Sequence, residues 1–191
     1  YLSSNELFDE FQRRIFREYD NFSSKFSFFP PVSLFKSTEK RVSSMGDDVG
    51  VSTTTFDKIK HTYKDLFEVI MDLSCLVSFL NNILIRGDFE KFEGNIESAD
   101  KYAQLSKGNK FDHLDLDEPL GIIFQIKPDN KIRNSIGHNQ STFNRLTQEI
   151  KFRKKDGHSW TLYQGKSLIE FMENIWELFV TLAYLDEILY Q

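Results

Sequence analysis

Residues 53–87 read TTTFDKIKHTYKDLFEVIMDLSCLVSFLNNILIRG, and this stretch decides the fold. Ile59, Tyr63, Leu66, Ile70, Leu73, Val77, Leu80 and Leu84 follow alternating steps of four and three, the spacing that lines one face of a long helix. Thr53-Thr54-Thr55 with Asp57 is a helix start, because a threonine hydroxyl can cap free amides and an early carboxylate suits the positive helix end. Gly87 is the expected stop. Phe67, Val69, Leu76, Phe79 and Ile83 widen the apolar surface beyond a two-helix stripe, which predicts several neighbouring helices or a second subunit.

The flanking sequence supplies those neighbours. Upstream, Phe8, Phe11, Ile15, Tyr19, Phe22 and Phe26 predict a helix over residues 5–26 that Pro30-Pro31 ends. Polar sequence from Lys36 to Thr53 reads as a linker, so residues 1–53 are expected to form an N-terminal helix and linker, and 54–191 a helical domain. The first helix either packs on the bundle or belongs with another part of a longer protein, which the missing initiator Met suggests. Downstream, residues 95–106 suggest a shorter polar helix, and residues 120–126 are apolar and brief. Leu168, Met172, Ile175, Phe179 and Leu182 mark a final helix from Ser167 to Tyr190, apolar over much of its circumference. Between these lie strand-like segments around Ile150, Phe152, Trp160, Leu162 and Tyr163, joined at Lys154-Lys155-Asp156-Gly157, which predicts one β-hairpin.

Composition narrows the function classes. The chain has 191 residues, 40% hydrophobic and 28% charged, which suits one core-bearing domain, and its 19 phenylalanines predict large aromatic contacts. No run of 18 apolar residues and no basic-then-apolar leader is visible, so no membrane association is expected. The single cysteine, Cys75, sits in an apolar helical stretch and reads as a buried inert thiol, and an intrachain disulfide is ruled out. A cytoplasmic location is expected. Net charge is −5, yet residues 101–166 hold 12 Lys and Arg against 7 Asp and Glu, a local excess of +5 that can steer a polyanion to one face.

That basic portion contains Lys131-Ile132-Arg133-Asn134-Ser135-Ile136-Gly137-His138-Asn139. Arginine offers a charged planar fork for phosphate oxygens, and histidine takes and gives protons near neutral pH. Pro128 and Asp129 can open a short helix through this word. Positions five apart on an ideal helix differ by about 140° in rotation, so a shared site needs the helix to bend or end, with Gly137 the expected point, or needs a symmetric dimer.

The word resembles the signature of the HEPN superfamily, an arginine often followed by a polar residue, then four to six residues and a histidine. The resemblance implies a mainly α, HEPN-like helical bundle with a β-hairpin between the motif helix and the C-terminal helix, commonly a homodimer. It further implies a metal-independent endoribonuclease of defence or toxin type, needing no metal or cofactor. Arg133, Asn134 and His138 would be catalytic. Lys131, Asn139, Lys151, Arg153, Lys154 and Lys155 would contact RNA, although the last four also suit a solvated hairpin. Regulatory protein partners or further domains would accompany such an effector. The alternatives are a non-catalytic HEPN-like module for dimerisation and RNA or protein binding, and a structural bundle. Arg153 and His158 repeat the five-residue separation across the hairpin turn and are expected to be a decoy. Asp112-His113-Leu114-Asp115-Leu116-Asp117-Glu118 reads as a solvated loop rather than a cation site.

Overall fold

The computed structural model describes residues 5–37, 50–92, 96–111, 119–124 and 126–190; the acidic run at 112–118 and most of the linker lie outside them. Seven helices and one small sheet are seen among the described residues. They are α1 (Asn5–Ser23), α2 (Pro30–Ser37), α3 (Phe56–Arg86), α4 (Ala99–Ala103), α5 (Lys107–Lys110), α6 (Asn130–Gly137) and α7 (Leu168–Tyr190), with 3-10 turns at Phe26–Phe28 and Pro119–Ile123.

Helix α3 is the axis of the molecule. Gly87 ends it in the left-handed conformation at φ 72°, its amide donating to the Ile83 carbonyl, as a glycine stop should. The predicted stripe is buried from Ile59 to Val77, but Leu84 is 63% exposed, and Ile83 and Ile85 beside it are also open. By length and composition α3 could cross a membrane; here 18 of its 31 residues are buried within the fold.

An aromatic knot joins α3 to α7 and the sheet. Phe56 and Tyr63 each lie with ring centroids 5.3 Å from Phe171, and Phe152 packs 5.6 Å from the same ring. Helix α7 starts with a capping box: the Ser167 amide donates to Glu170 Oε2 at 2.8 Å, and the Glu170 amide to Ser167 Oγ at 3.3 Å. Helix α1 packs on the same core through Phe11, Ile15 and Phe22, with Phe22 stacked on Phe179 at 3.9 Å.

Three expectations need correction. Pro30-Pro31 does not end the first helix, which stops at Ser23; the prolines open α2, where their missing amides and fixed φ suit the first helical turn. The polar helix of residues 95–106 shortens to α4, whose N-cap Ser98 accepts the Lys101 amide, followed by the single turn of α5. The single hairpin is a three-stranded antiparallel meander, β1 (Ser141–Asn144), β2 (Glu149–Asp156) and β3 (Ser159–Ser167). Its extra strand is short and polar, and pairing with β2 supplies the order that composition alone does not.

The turn falls later than expected: Lys154, Lys155 and Asp156 pair within β2, and the loop is Gly157-His158, with Gly157 at φ 57° in its first position, where a type II′ turn needs glycine. Pairing slips by one in the middle of the sheet. Phe152 faces Gln164 and Arg153 faces Leu162, leaving Tyr163 as the extra residue of a β-bulge.

Candidate functional site

Helix α6 carries the motif, and Asp129 starts it. The Asp129 side chain accepts the amides of Lys131 (2.8 Å) and Ile132 (3.2 Å) through Oδ1, and the Tyr163 hydroxyl (2.9 Å) through Oδ2. Buried Tyr63 holds the same residue's backbone, its hydroxyl accepting the Asp129 amide at 3.1 Å. Burial, then the hydrogen bond and charge of Asp129, push the Tyr163 phenol above its ordinary value; burial does the same to Tyr63.

Ile132, Ser135 and Ile136 form the inward face of α6, at the spacing of one helical stripe. Ser135 is fully buried, and its Oγ accepts the Arg153 amide at 3.0 Å. Arg153 lies at the bulge, so the motif helix supplies the acceptor for an amide at that irregular step. No sequence signal marked this serine.

The end of the helix differs from the expectation. The distortion falls at Asn139, φ 53°, rather than at Gly137. The Asn139 amide donates to the Ile136 carbonyl (3.1 Å) and the Gln140 amide to the Ser135 carbonyl (2.7 Å), a Schellman stop with asparagine in the left-handed position. A short amide side chain tolerates that conformation, which gives Asn139 a structural reason to be there.

Helix geometry sends the motif side chains in three directions. Lys131 leans over Tyr163, its Nζ 4.9 Å from the ring centroid. Arg133 turns to α3, where Nε and Nη2 bond Glu68 Oε1 while Nη1 donates to Asn134 Oδ1 at 2.8 Å. His138 caps the far end and is exposed, its ring 5.5 Å from that of Trp160 on β3. Arg133 and Asn134 are therefore brought together, but among the described residues no side-chain hydrogen bond or ring contact joins either to His138; the one link is the His138 backbone amide, which donates to the Asn134 carbonyl at 3.0 Å.

Glu68 makes Arg133 part of a longer ionic chain. Lys107 Nζ lies 2.7 Å from Glu68 Oε2 and 2.8 Å from Asp72 Oδ2, and Asp72 also pairs with Arg14. Burial opposes the charge on Glu68, yet the hydrogen bonds from Lys107 and Arg133 outweigh it and hold this carboxyl below the ordinary glutamate value. Three cations face two carboxylates, so one positive charge remains across the group. Arg133 keeps 32% of its side-chain surface open to solvent.

The basic residues of β2 are all exposed. Lys151 pairs loosely with Glu149 at 3.4 Å. Lys155 stands directly opposite Trp160, and Arg153 opposite Leu162, so these four share one face of the ribbon, the face on which His138 meets Trp160. Lys154 points to the other face. His158 sits exposed at the loop tip, with no side-chain hydrogen bond, ion pair or ring contact among the described residues. Glu68, Lys107, Ser135 and Trp160 are the site residues that sequence reading did not single out. No family model, curated protein or solved structure matches this chain.

Proposed function

We propose that this chain is a metal-independent endoribonuclease of HEPN type, a cytoplasmic defence or toxin effector that cuts RNA at a site composed from two copies. The observation that carries the reading is His138: an exposed imidazole with no hydrogen-bond partner among the described residues, resting on Trp160 beside Arg153 and Lys155. Such a group can reach a substrate hydroxyl in open water, on a surface whose charge attracts phosphates.

The chemistry needs two proton-transfer groups. His138 removes the proton of a ribose 2′-hydroxyl, whose oxygen attacks the adjacent phosphorus; the bond to the 5′-oxygen breaks, and His138 of the partner subunit protonates that oxygen. The products are a 2′,3′-cyclic phosphate and a 5′-hydroxyl. Arg133 balances charge on the phosphoryl oxygens, and Asn134 fixes the guanidinium plane through its 2.8 Å contact. Divergence of Arg133 and His138 within one chain supports a composite site. The open apolar end of α3 is a poor place for that dimer contact. Ile83 stands about 22 Å of helix rise beyond Glu68, so an interface confined there would hold the two motifs apart.

One observation favours a second reading, a non-catalytic HEPN-like module that binds RNA. Glu68 and Asn134 already engage Arg133, so phosphate must compete for its donors. One experiment separates the two: incubate the chain with RNA in chelator and analyse the cut ends. Cleavage is expected, resisted by a 2′-deoxy sugar at the cut and reduced about a hundredfold or more in His138→Ala with unaltered melting. Binding without cutting supports the second reading; strict Mg²⁺ dependence, 5′-phosphate ends or full activity in His138→Ala would overturn the first.

A further inference from the structure

At the opposite end of α6 from His138 lies a cleft of about 450 Å³, bounded by α5, residues 127–131 and the bulged residue of β3. Its volume falls in the ordinary range for small-ligand sites. We propose that this cleft binds one nucleotide unit, its phosphate between Lys127 and Lys131 and its base against the amides of Asn109 and Asn130.

The lining has the chemistry this requires. Lys131 Nζ is seated 4.9 Å from the Tyr163 ring centroid and Lys127 Nζ 5.4 Å from that of Phe111, so two ammonium groups are steered by aromatic faces towards the same opening. Asp129 is the acidic group of the lining. Both its oxygens are engaged, one by the helix amides and one by Tyr163, so its charge serves the N-terminus of α6. The side-chain amides of Asn109 and Asn130 have no hydrogen-bond partner among the described residues, and each presents a donor and an acceptor, the set that reads a base edge. Gly108 permits the arrangement. A Cβ there would sit 2.1 Å from Asn130 Nδ2, so any larger residue would drive this amide out of place. The bulge adds the last wall, because the extra residue it inserts into β3 is Tyr163 itself.

Free nucleotide and a nucleotide within an RNA chain offer the same chemistry to this cleft. The cleft stands on its own geometry; only its link to cutting rests on the endoribonuclease reading. If that reading holds, the bound base lies to one side of the scissile bond, since Asn130 and His138 are about 12 Å apart along the helix.

The test is equilibrium binding of the full chain to the four 5′-mononucleotides, to inorganic phosphate, and to a fluorescent 2′-deoxy-blocked hexaribonucleotide that cannot be cut. Lys127→Gln with Lys131→Gln, two exposed positions, is expected to weaken the hexamer at least about tenfold and to lower its log–log salt slope by about 1.4, two charges at roughly 0.7 each for a single strand. Asn109→Ala with Asn130→Ala is expected to bring the affinities of the four mononucleotides, or of hexamers differing in one base, within about twofold of one another. Gly108→Ala repeats the Asn130 effect without touching a lining amide. Competition by mononucleotide identifies a free nucleotide as a ligand, and its absence with intact hexamer binding identifies the chain. Hexamer binding that is absent, unchanged by both double variants, or displaced equally by inorganic phosphate would overturn the proposal. His138→Ala separates the two ideas. Cleft binding without cutting in the parent chain removes the endoribonuclease reading alone, whereas cutting with base preference unchanged in the double variants removes this one.

Discussion

Replacing Ser135 by alanine tests how the motif helix is fixed to the sheet. The Ser135 hydroxyl accepts the Arg153 amide at 3.0 Å with no solvent access to the serine. Alanine removes the acceptor and leaves that amide facing a dry surface. An abandoned buried donor costs about 1–3 kcal/mol. The better helix propensity of alanine offsets about 0.5 kcal/mol of this, so the net loss is about 0.5–2.5 kcal/mol. For a chain of this length about 2–4 °C of melting temperature accompanies each kcal/mol, which gives a fall of roughly 1–10 °C. Circular dichroism melts measure it, and amide exchange locates it: the Arg153 amide should lose protection more than its neighbours in β2. A melting point within about 1 °C of the parent, together with unchanged exchange at Arg153, would refute the claim that Ser135 serves the bulge.

Three further outcomes follow from the ionic chain, the thiol and the hairpin. The Glu68 carboxyl has a folded value below the ordinary 4.5, so its contribution to stability is complete above that pH and is lost as pH falls through the lower folded value. Acid melts of the parent should therefore drop more steeply below about pH 4.5 than those of Glu68→Gln, and parallel curves would contradict the pairing with Lys107 and Arg133. Burial pushes the Cys75 thiol up to about 11, so iodoacetamide at pH 8 should modify it only after denaturation, as mass spectrometry will report. His158→Ala should keep any cleavage rate within a few-fold of the parent, while neutralising Lys151, Arg153, Lys154 and Lys155 together should weaken RNA binding in a salt-dependent way; loss of cutting in folded His158→Ala would transfer the catalytic role to the decoy.

What could be read in the sequence was what local periodicity encodes. Helices α3 and α7, the Gly87 stop, the Asp129 start and the turn at Gly157 each follow from residues within a few positions of one another. Helix α2 is not legible because a proline pair marks a beginning as readily as a terminus, and β1 is not because Ser141 to Asn144 gains strand character only from pairing with β2. The motif residues were visible as types, but their directions were not. Glu68 meets Arg133 from 65 positions away, and Ser135 meets Arg153 only where a ladder slips by one. Local composition carries no trace of either contact.

The bulge at Tyr163 also sets a rule of counting. Alternation along β3 is a matter of odd and even, and the extra residue changes parity between Gln164 and Leu162. Absorbing Tyr163 into a regular ladder would pair it with Arg153 and Leu162 with Lys154, turning Trp160 and Leu162 to the opposite side of the ribbon and carrying the indole away from His138, whereas excising it would leave Trp160 opposite Lys155. Exchanging Tyr163 for another side chain leaves that parity alone. The bulge therefore lets β3 hold one residue more than its partner needs while the indole keeps its face, and a register slip that straightened the strand would reach the imidazole without altering any residue that touches it.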